Sequence, residues 1–104
     1  MGWVYLIGQE DNDSYYKIGS TKAKDVNDRI KQLQTGNSSK LYLCEAFETS
    51  KPFKLEQMLH NRLKYKKKLN EWFEFNAKDA KNEFVELCMF YEKIIDSLKE
   101  NPFF

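Results

Sequence analysis

The sequence predicts a small domain of the α/β (α+β) class, built on an antiparallel sheet. The chain has 104 residues, the usual size of one compact domain. Hydrophobic residues make up 41% of it and aromatic residues 15%, which is enough to form a core. Predicted segments follow in the order strand, strand, helix, strand, helix, strand, helix, with no internal repeat or linker. We therefore expect residues 1–104 to form a single domain.

A hairpin begins the predicted sheet. Two runs of β-branched and aromatic residues, VYLI and YYKI, flank the loop GQEDNDS, which is rich in turn-forming residues. A loop symmetric about Asp11 would place Tyr5 opposite Lys17 on one face, because paired residue numbers in an antiparallel ladder have a constant sum. A slip of one residue would instead place Tyr16 beside Tyr5.

The other elements are predicted from caps and periodicity. Asp25 is a helix N-cap and Gly36 a stop, and KLYLCEAFET is a third strand. Ser50 and Pro52 open a second helix, whose buried stripe is Leu55, Met58, Leu59 and Leu63. EWFEF is too short and aromatic for a helix and is predicted as a brief strand or extended segment. From Asp79 a helix of about five turns has one apolar face: Phe84, Leu87, Cys88, Tyr91, Ile94, Ile95 and Leu98.

Composition excludes some classes of protein. No stretch approaches the roughly 20 apolar residues of a membrane span, and the N-terminus lacks the pattern of a secretion signal. We therefore expect a cytoplasmic, intracellular protein, neither secreted nor membrane-bound. Cys44 and Cys88 lack metal-binding spacing and are expected to be reduced and structural.

Charge is distributed unevenly. The net charge is +1, but residues 51–68 carry seven positive charges and one negative charge. Five cationic residues form a patch there: Arg62, Lys64, Lys66, Lys67 and Lys68. Lys22 and Lys24 are expected to extend it. Such a patch attracts polyanions without sequence preference, although a solvated surface is its more common role.

A few polar residues are candidates for chemistry. Tyr5 and Lys17 would share a face of the hairpin in the symmetric register. Arg29 lies at the edge of the apolar stripe of the first helix, where a guanidinium is able to neutralise a phosphate. Glu56 and His60 are one turn apart on the rim of the second helix. A lone carboxylate suits Mg²⁺, and histidine moves protons at neutral pH. Taken singly, each residue also fits an ordinary structural role.

The ordered set of motifs resembles the GIY-YIG nuclease superfamily, particularly its small phage and viral branch. It comprises WVYLI, YYKIGST, an arginine on a helix, LEQMLHNRL and NEWFEF, and it covers residues 2–76. The resemblance implies a three-stranded antiparallel sheet flanked by helices, with a core over about 2–76 and a C-terminal helix over about 79–99. It also implies metal-dependent hydrolysis of DNA phosphodiester bonds.

The resemblance assigns roles to particular residues. Tyr5 would orient or deprotonate the attacking water, Arg29 would neutralise the scissile phosphate, and Glu56 would be the single ligand of one Mg²⁺ or Mn²⁺ ion. His60 would support them. Lys17 stands where the family name has tyrosine, and would bind phosphate or favour the deprotonated phenol of Tyr5. Trp3 likewise replaces a glycine. Residues expected to bind nucleic acid are Tyr16, Lys22, Arg62 and Lys64.

The sequence therefore predicts a DNA endonuclease with low or structure-dependent sequence specificity, acting on double-stranded or branched DNA. The altered second motif and the near-neutral charge leave two alternatives open. One is a catalytically inactive module of the same fold that binds nucleic acid. The other is a protein-interaction module, with a homodimer built through the C-terminal helix. Trp72 as a base-stacking platform is a minor alternative to a place in the core.

Overall fold

The computed structural model describes residues 1–67 and 72–99. Within these ranges one four-stranded antiparallel sheet has the strand order β3-β1-β2-β4. A 3₁₀ turn, Lys64–Lys66, follows the second helix. The elements are β1 (Gly2–Gln9), β2 (Asn12–Thr21), α1 (Val26–Thr35), β3 (Leu41–Thr49), α2 (Pro52–Arg62), β4 (Trp72–Glu74) and α3 (Ala80–Lys99).

The sheet has one strand more than the resemblance implied. The brief strand predicted in EWFEF pairs with β2, with Phe73 opposite Tyr16 and Trp72 opposite Lys17. The α+β class, the antiparallel sheet and the long C-terminal helix are confirmed. The described part of β4 is short, and within residues 1–67 and 72–99 no further strand pairs with the outer edge of the second half of β2.

The hairpin is tighter than the sequence indicates. Gln9 pairs with Asn12, so most of the predicted loop belongs to the strands, and a register shift lies between Ile7 and Gln9. Beyond that shift Tyr5 pairs with Gly19, and Lys17 pairs with Ile7. The predicted pairing of Tyr5 with Lys17 is therefore wrong by two residues. Side chains alternate with a period of two, so an even shift keeps Tyr5 and Lys17 on the same face.

The sheet separates two apolar layers. On one face α2 and α3 pack against Leu6 and Ile18, together with the buried rings of Phe73 and Phe84. On the other face α1 contributes Val26 to a smaller cluster that contains Tyr5, Ile7 and Leu41. The two faces are thus covered by different helices, and a side chain on α1 meets one on α2 only around an edge of the sheet.

The helix signals are confirmed with one correction. The Asp25 carboxylate accepts a hydrogen bond from the Asn27 backbone N–H at 2.9 Å, and α1 ends at Gly36 as expected. Pro52 is the first residue of α2, but its N-cap is Lys51, which makes no capping hydrogen bond through its side chain. Ser50 is therefore not the cap. Thr49 provides a local contact instead, because its hydroxyl accepts a hydrogen bond from the Lys51 backbone N–H.

The long helix α3 covers the sheet with the face predicted. Phe84, Cys88 and Ile95 are buried, whereas Met89 and Phe90 are 50% and 58% exposed. A homodimer through this helix stays a prediction. Both cysteines are free thiols, and burial raises the pKa of Cys88 to about 12. In the part of the chain that the structure describes, none of the helices is long and apolar enough to cross a membrane.

Candidate active site

The candidate site lies at the outer edge of β2. β4 pairs only with residues 15–17 of this strand, so its second half has no further strand beside it within the described residues. The imidazole of His60 occupies this edge, and its Nε2 lies 2.7 Å from the backbone oxygen of Ile18. Pro52, the first residue of α2, lies near the end of the strand. A Cβ built on Gly2 would meet both the Pro52 side chain and the Thr21 backbone oxygen, so these two groups are neighbours. Helix α2 therefore runs antiparallel to β2 along its open edge.

Tyr5 reaches this edge from the face covered by α1. Its phenol leans from β1 across Gly19 of β2, and a Cβ built on Gly19 would lie within 2.7 Å of three atoms of the Tyr5 side chain, the hydroxyl oxygen among them. Any residue larger than glycine would displace the ring. The hydroxyl thus lies over the outermost strand at this level of the sheet. Tyr5 is only 1% exposed, so its side chain is part of the core as well as a candidate for chemistry.

Lys17 and Trp72 lie on the same face as Tyr5. Lys17 is partly buried and is directly opposite Trp72 across the pairing of β2 with β4. Trp72 packs against the cluster that contains Tyr5 and Ile7, so this aromatic ring belongs to the core and is not an open platform for bases. Lys17 therefore lies at the border of this cluster, partly buried on the face that carries Tyr5.

Arg29 is carried by α1 on the same side of the sheet. It falls three residues after Val26 and four before Leu33, both of which face the core, so it occupies a position of the inward stripe. The side chain is partly buried, and its Nη1 donates a hydrogen bond to the Gln32 side chain at 3.1 Å. Helix α1 packs mainly against β3, which is separated from β2 by β1. Arg29 therefore lies in the same layer as Tyr5 and Lys17, on the helix that covers the β3 side of the sheet.

Glu56 approaches from the other layer. It lies one turn before His60 on α2, about 6 Å along the helix axis, which corresponds to roughly two residues of the adjacent strand. Since His60 contacts Ile18 and α2 runs antiparallel to β2, this spacing puts Glu56 at about the level of Ser20 along the strand. Glu56 is partly buried, and its carboxylate forms no hydrogen bond or ion pair with residues 1–67 or 72–99. A partly buried carboxylate without a partner is costly and is typical of a binding site.

The hydrogen bond of His60 fixes its tautomer. A carbonyl oxygen only accepts, so Nε2 carries a proton and donates it to Ile18. In the neutral ring Nδ1 is then an acceptor. The edge of the imidazole packs against Phe73, with ring centroids 4.9 Å apart. His60 therefore holds α2 against β2 and keeps one ring nitrogen for a further contact.

The structure corrects the role of Tyr16. This residue is 2% exposed, belongs to the α2 and α3 layer, and donates its hydroxyl hydrogen to the Asp13 backbone oxygen at 3.1 Å. Burial raises its pKa to about 12, with smaller contributions from Tyr42, Cys44 and Asp13. Tyr16 is on the opposite face from Tyr5, so it neither binds nucleic acid in this conformation nor replaces the missing tyrosine of the second motif.

The basic residues do not form one surface. Stepping about 100° per residue from Leu55, Glu56 and His60 fall at about 100° and 140° around α2, whereas Arg62 falls at about 340°. Arg62 and Lys64 instead line a cavity of about 330 Å³ between α2 and α3, together with Met58, Asn61 and Tyr91. Arg62 and Lys64, both predicted to bind nucleic acid, therefore lie away from the candidate site.

Other members of the predicted patch have different surroundings. Lys66 pairs with Glu83 at 3.0 Å, which ties the 3₁₀ turn to α3. Lys24 and Lys67 are exposed, and Lys68 lies outside the described residues. Lys22 follows β2, and its ammonium lies 5.4 Å from the centre of the Phe53 ring. Of the predicted cations, Lys22 is therefore placed next to the β2 edge.

The carboxylate of Glu56 suits a weakly bound cation that keeps most of its water ligands. Within the described residues there is no group of three or more histidine, cysteine, aspartate or glutamate side chains able to hold a metal ion. One unpaired carboxylate at the edge of the sheet is too little for zinc or calcium, which take four or more protein ligands. Mg²⁺ keeps most of its waters and needs one or two carboxylate oxygens. Glu56 fits that requirement.

Comparison with known families places this geometry in context. Residues 2–88 match the T5orf172 domain. The chain belongs to the T5orf172 family. T5orf172 is a phage-type domain found in proteins associated with GIY-YIG-like and HNH-like nucleases, and no GIY-YIG family itself matches. The resemblance drawn from the motifs is thus confirmed at the level of nuclease-associated domains.

One curated protein is similar in sequence to this chain. It is the uncharacterized protein 460R of Invertebrate iridescent virus 6, which is 38% identical over 81 residues, or 74% of this chain. The match covers 36% of the viral protein, so the chain spans about a third of the length of its relative. No solved structure matches.

Sequence reasoning missed two features of this T5orf172 domain. Gly19 was read only as the end of a motif, although its missing side chain makes room for the Tyr5 phenol. Phe53 was not singled out, although it is 53% exposed beside Lys22. The first feature depends on the register of the hairpin, which the side-chain pattern does not determine. The second had a signal, since Phe53 lies off the apolar stripe of α2.

Proposed function

We propose that this T5orf172 domain is a metal-dependent DNA endonuclease. The proposal rests on one observation: side chains from both faces of the sheet lie near the same outer edge of β2. Tyr5 extends its hydroxyl over Gly19 from the α1 face, and Glu56 lies beside the same stretch of strand from α2. A phosphodiester at this edge would face a phenol, a carboxylate and nearby cationic groups, which is the set of groups that hydrolysis of a phosphate ester requires.

Glu56 would hold one Mg²⁺ or Mn²⁺ ion, with water completing its coordination. When bound, such an ion neutralises charge on the phosphate and on the departing 3′ oxygen. As the one negative side chain among the 18 residues of segment 51–68, Glu56 has a carboxylate surrounded in sequence by cations. Removing the Glu56 carboxylate should therefore remove the ion without breaking a network of ion pairs.

The remaining groups of the chain have separate tasks. Tyr5 would orient the attacking water and accept its proton, while Lys17, on the same face, favours the ionised phenol and contacts a phosphate oxygen. Arg29 would neutralise the scissile phosphate through its planar guanidinium. His60 has Nδ1 available for a water or phosphate contact. A P–O bond to water forms as the P–O3′ bond breaks, which leaves a 5′ phosphate and a 3′ hydroxyl.

The proposed nuclease would have low or structure-dependent sequence specificity. The edge of β2 is short, and Arg62 and Lys64 lie on the far side of α2, so the surface around the site is too small to read a long sequence. Sequence readout normally requires several side chains in a DNA groove. The family and the viral relative support a phage or viral origin for the chain.

The plasmid-nicking rate tests the proposal. Supercoiled DNA with Mg²⁺ or Mn²⁺ should become nicked, and Glu56→Gln should lower the rate at least about 100-fold without lowering the melting temperature. Glu92→Gln is the matched control, since Glu92 is also a partly buried helical carboxylate, on α3, and it should leave the rate unchanged.

Other outcomes separate the alternatives. Salt-sensitive retardation of DNA without product would indicate a nucleic-acid-binding module that keeps the fold but not the chemistry. Nicking that survives Glu56→Gln would show that the activity does not come from this edge. Self-association without any effect of DNA would favour an interaction module.

A further inference from the structure

Phe53 is an exposed aromatic side chain next to the candidate site. It is the second residue of α2, it is 53% exposed, and it takes no part in either apolar cluster. Single exposed apolar residues are common on protein surfaces and need no explanation by themselves. The surroundings of Phe53 are what distinguish it.

A cation lies over one side of the ring. The ammonium of Lys22 is 5.4 Å from the ring centroid, within the range of a cation–π contact. Lys22 directly follows β2, and Pro52 next to Phe53 borders the end of the same strand through the Thr21 backbone oxygen. Phe53 and Lys22 therefore lie just beyond the open edge at which Glu56 and His60 are placed.

Phe53 is aligned with the proposed site along α2. Phe53, Glu56 and His60 follow one another at spacings of three and four residues, so they form a row on one side of the helix. Along the helix axis, Phe53 lies about 4.5 Å from Glu56, towards the N-terminus of α2. This spacing puts the exposed Phe53 ring within one turn of Glu56, next to any phosphate bound at the proposed site. Aromatic faces bind nucleobases of every sequence through stacking.

We propose that Phe53 stacks on an unpaired base adjacent to the phosphate held at Glu56, while Lys22 contacts the backbone of that nucleotide. This inference rests on the proposed function and names its substrate class. In a duplex both faces of a base are already covered by its neighbours, so stacking on Phe53 requires a base outside the duplex stack. The substrate is therefore DNA with an unpaired nucleotide at the cleavage point, such as a flap or branch.

Fluorescent DNA tests the inference through binding. The Glu56→Gln protein, which should not cut, is titrated against a flap substrate with 2-aminopurine as the first unpaired base, and against the fully paired duplex. Binding should quench the unpaired 2-aminopurine. Adding Phe53→Ala should remove the quenching and weaken flap binding about 5- to 150-fold, with little effect on the duplex. Phe53→Trp should retain both the quenching and the affinity for the flap.

Two controls keep the result specific. Phe90→Ala removes an equally exposed phenylalanine from α3 and should leave flap binding unchanged. Phe53→Leu keeps an apolar side chain without the ring and should behave as Phe53→Ala if stacking is the cause. Equal losses for flap and duplex, or unchanged quenching in Phe53→Ala, would overturn the inference. Because the readout is binding, a wild-type protein that binds flaps through Phe53 without cutting would overturn only the proposed function.

Discussion

At the scale of single residues, Gly19 and Tyr5 are mutually dependent. The glycine is required because of space, since the Tyr5 ring and hydroxyl occupy the position that a Cβ would take. The two residues belong to different motifs of the sequence, and their contact explains why YKIG ends in glycine. It also determines where the phenol lies over β2.

Gly19→Ala should therefore destabilise the fold and displace the phenol. Forcing a methyl group into a packed site costs about 1–3 kcal/mol, which lowers the melting temperature by several degrees in a domain of this size. Thermal unfolding measures this, and the nicking rate should fall as well. Gly36→Ala is the control: nothing lies within 4 Å of its added Cβ and its φ is −99°, so its stability should be unchanged or slightly raised. Equal melting temperatures for the two variants would contradict the assigned contact.

Tyr16 gives a prediction for alkaline pH. Its pKa is about 12 in the folded protein, against a usual value of 10.0, because the ring is buried. Between these values the unfolded chain loses the proton and the folded chain keeps it, so the stabilisation is complete below pH 10 and is lost as pH rises towards 12. A shift of this size corresponds to about 3 kcal/mol.

Tyr16→Phe should remove this part of the pH dependence. Urea unfolding at pH 8 and pH 11 should show a smaller loss of stability for the variant than for the wild type. Some loss should remain, since Cys88 also has a raised pKa and contributes from about pH 9 upwards. At pH 8 the variant should be less stable by about 1 kcal/mol, because it lacks the hydrogen bond to Asp13. Identical pH slopes would contradict a buried neutral phenol.

At the scale of elements, periodicity and caps predicted the helices well. Asp25 and Gly36 bound α1, and the apolar face of α3 is the one its spacing indicated. The hairpin register could not be predicted, because the Gln9–Asn12 turn and the irregularity after Ile7 are set by backbone geometry and not by side-chain pattern. The faces of Tyr5 and Lys17 were still correct, since the error was an even number of residues.

Helix α2 is attached to the sheet through His60, so His60→Ala should loosen it. The variant leaves the Ile18 carbonyl without its partner and removes a contact with Phe73, at a cost of about 1–3 kcal/mol. Thermal unfolding should show a lower melting temperature, and the nicking rate should fall because Glu56 lies on the same helix. Gln57→Ala, at an exposed position of α2, should change neither quantity. A His60→Ala protein as stable as Gln57→Ala would show that this hydrogen bond does not hold the helix.

At the scale of the whole molecule, the candidate site depends on two layers meeting at one edge. Tyr5, Lys17 and Arg29 lie on the α1 side, and Glu56 and His60 lie on α2, across the sheet. The motifs alone identified these residues but not how they are arranged, because the arrangement depends on the pairing of β2, which among the described residues of β4 reaches only residues 15–17. For the same reason Tyr16 and Arg62 were expected at the site, whereas the structure places both away from it.

A crystal soaked in manganese tests this arrangement most directly. We predict one anomalous peak within bonding distance of the Glu56 carboxylate, on the side of α2 that faces β2. Glu56→Gln crystals soaked in the same way should show no such peak. A peak elsewhere on the chain, or none beside Glu56 at millimolar Mn²⁺, would contradict the proposed metal-dependent site.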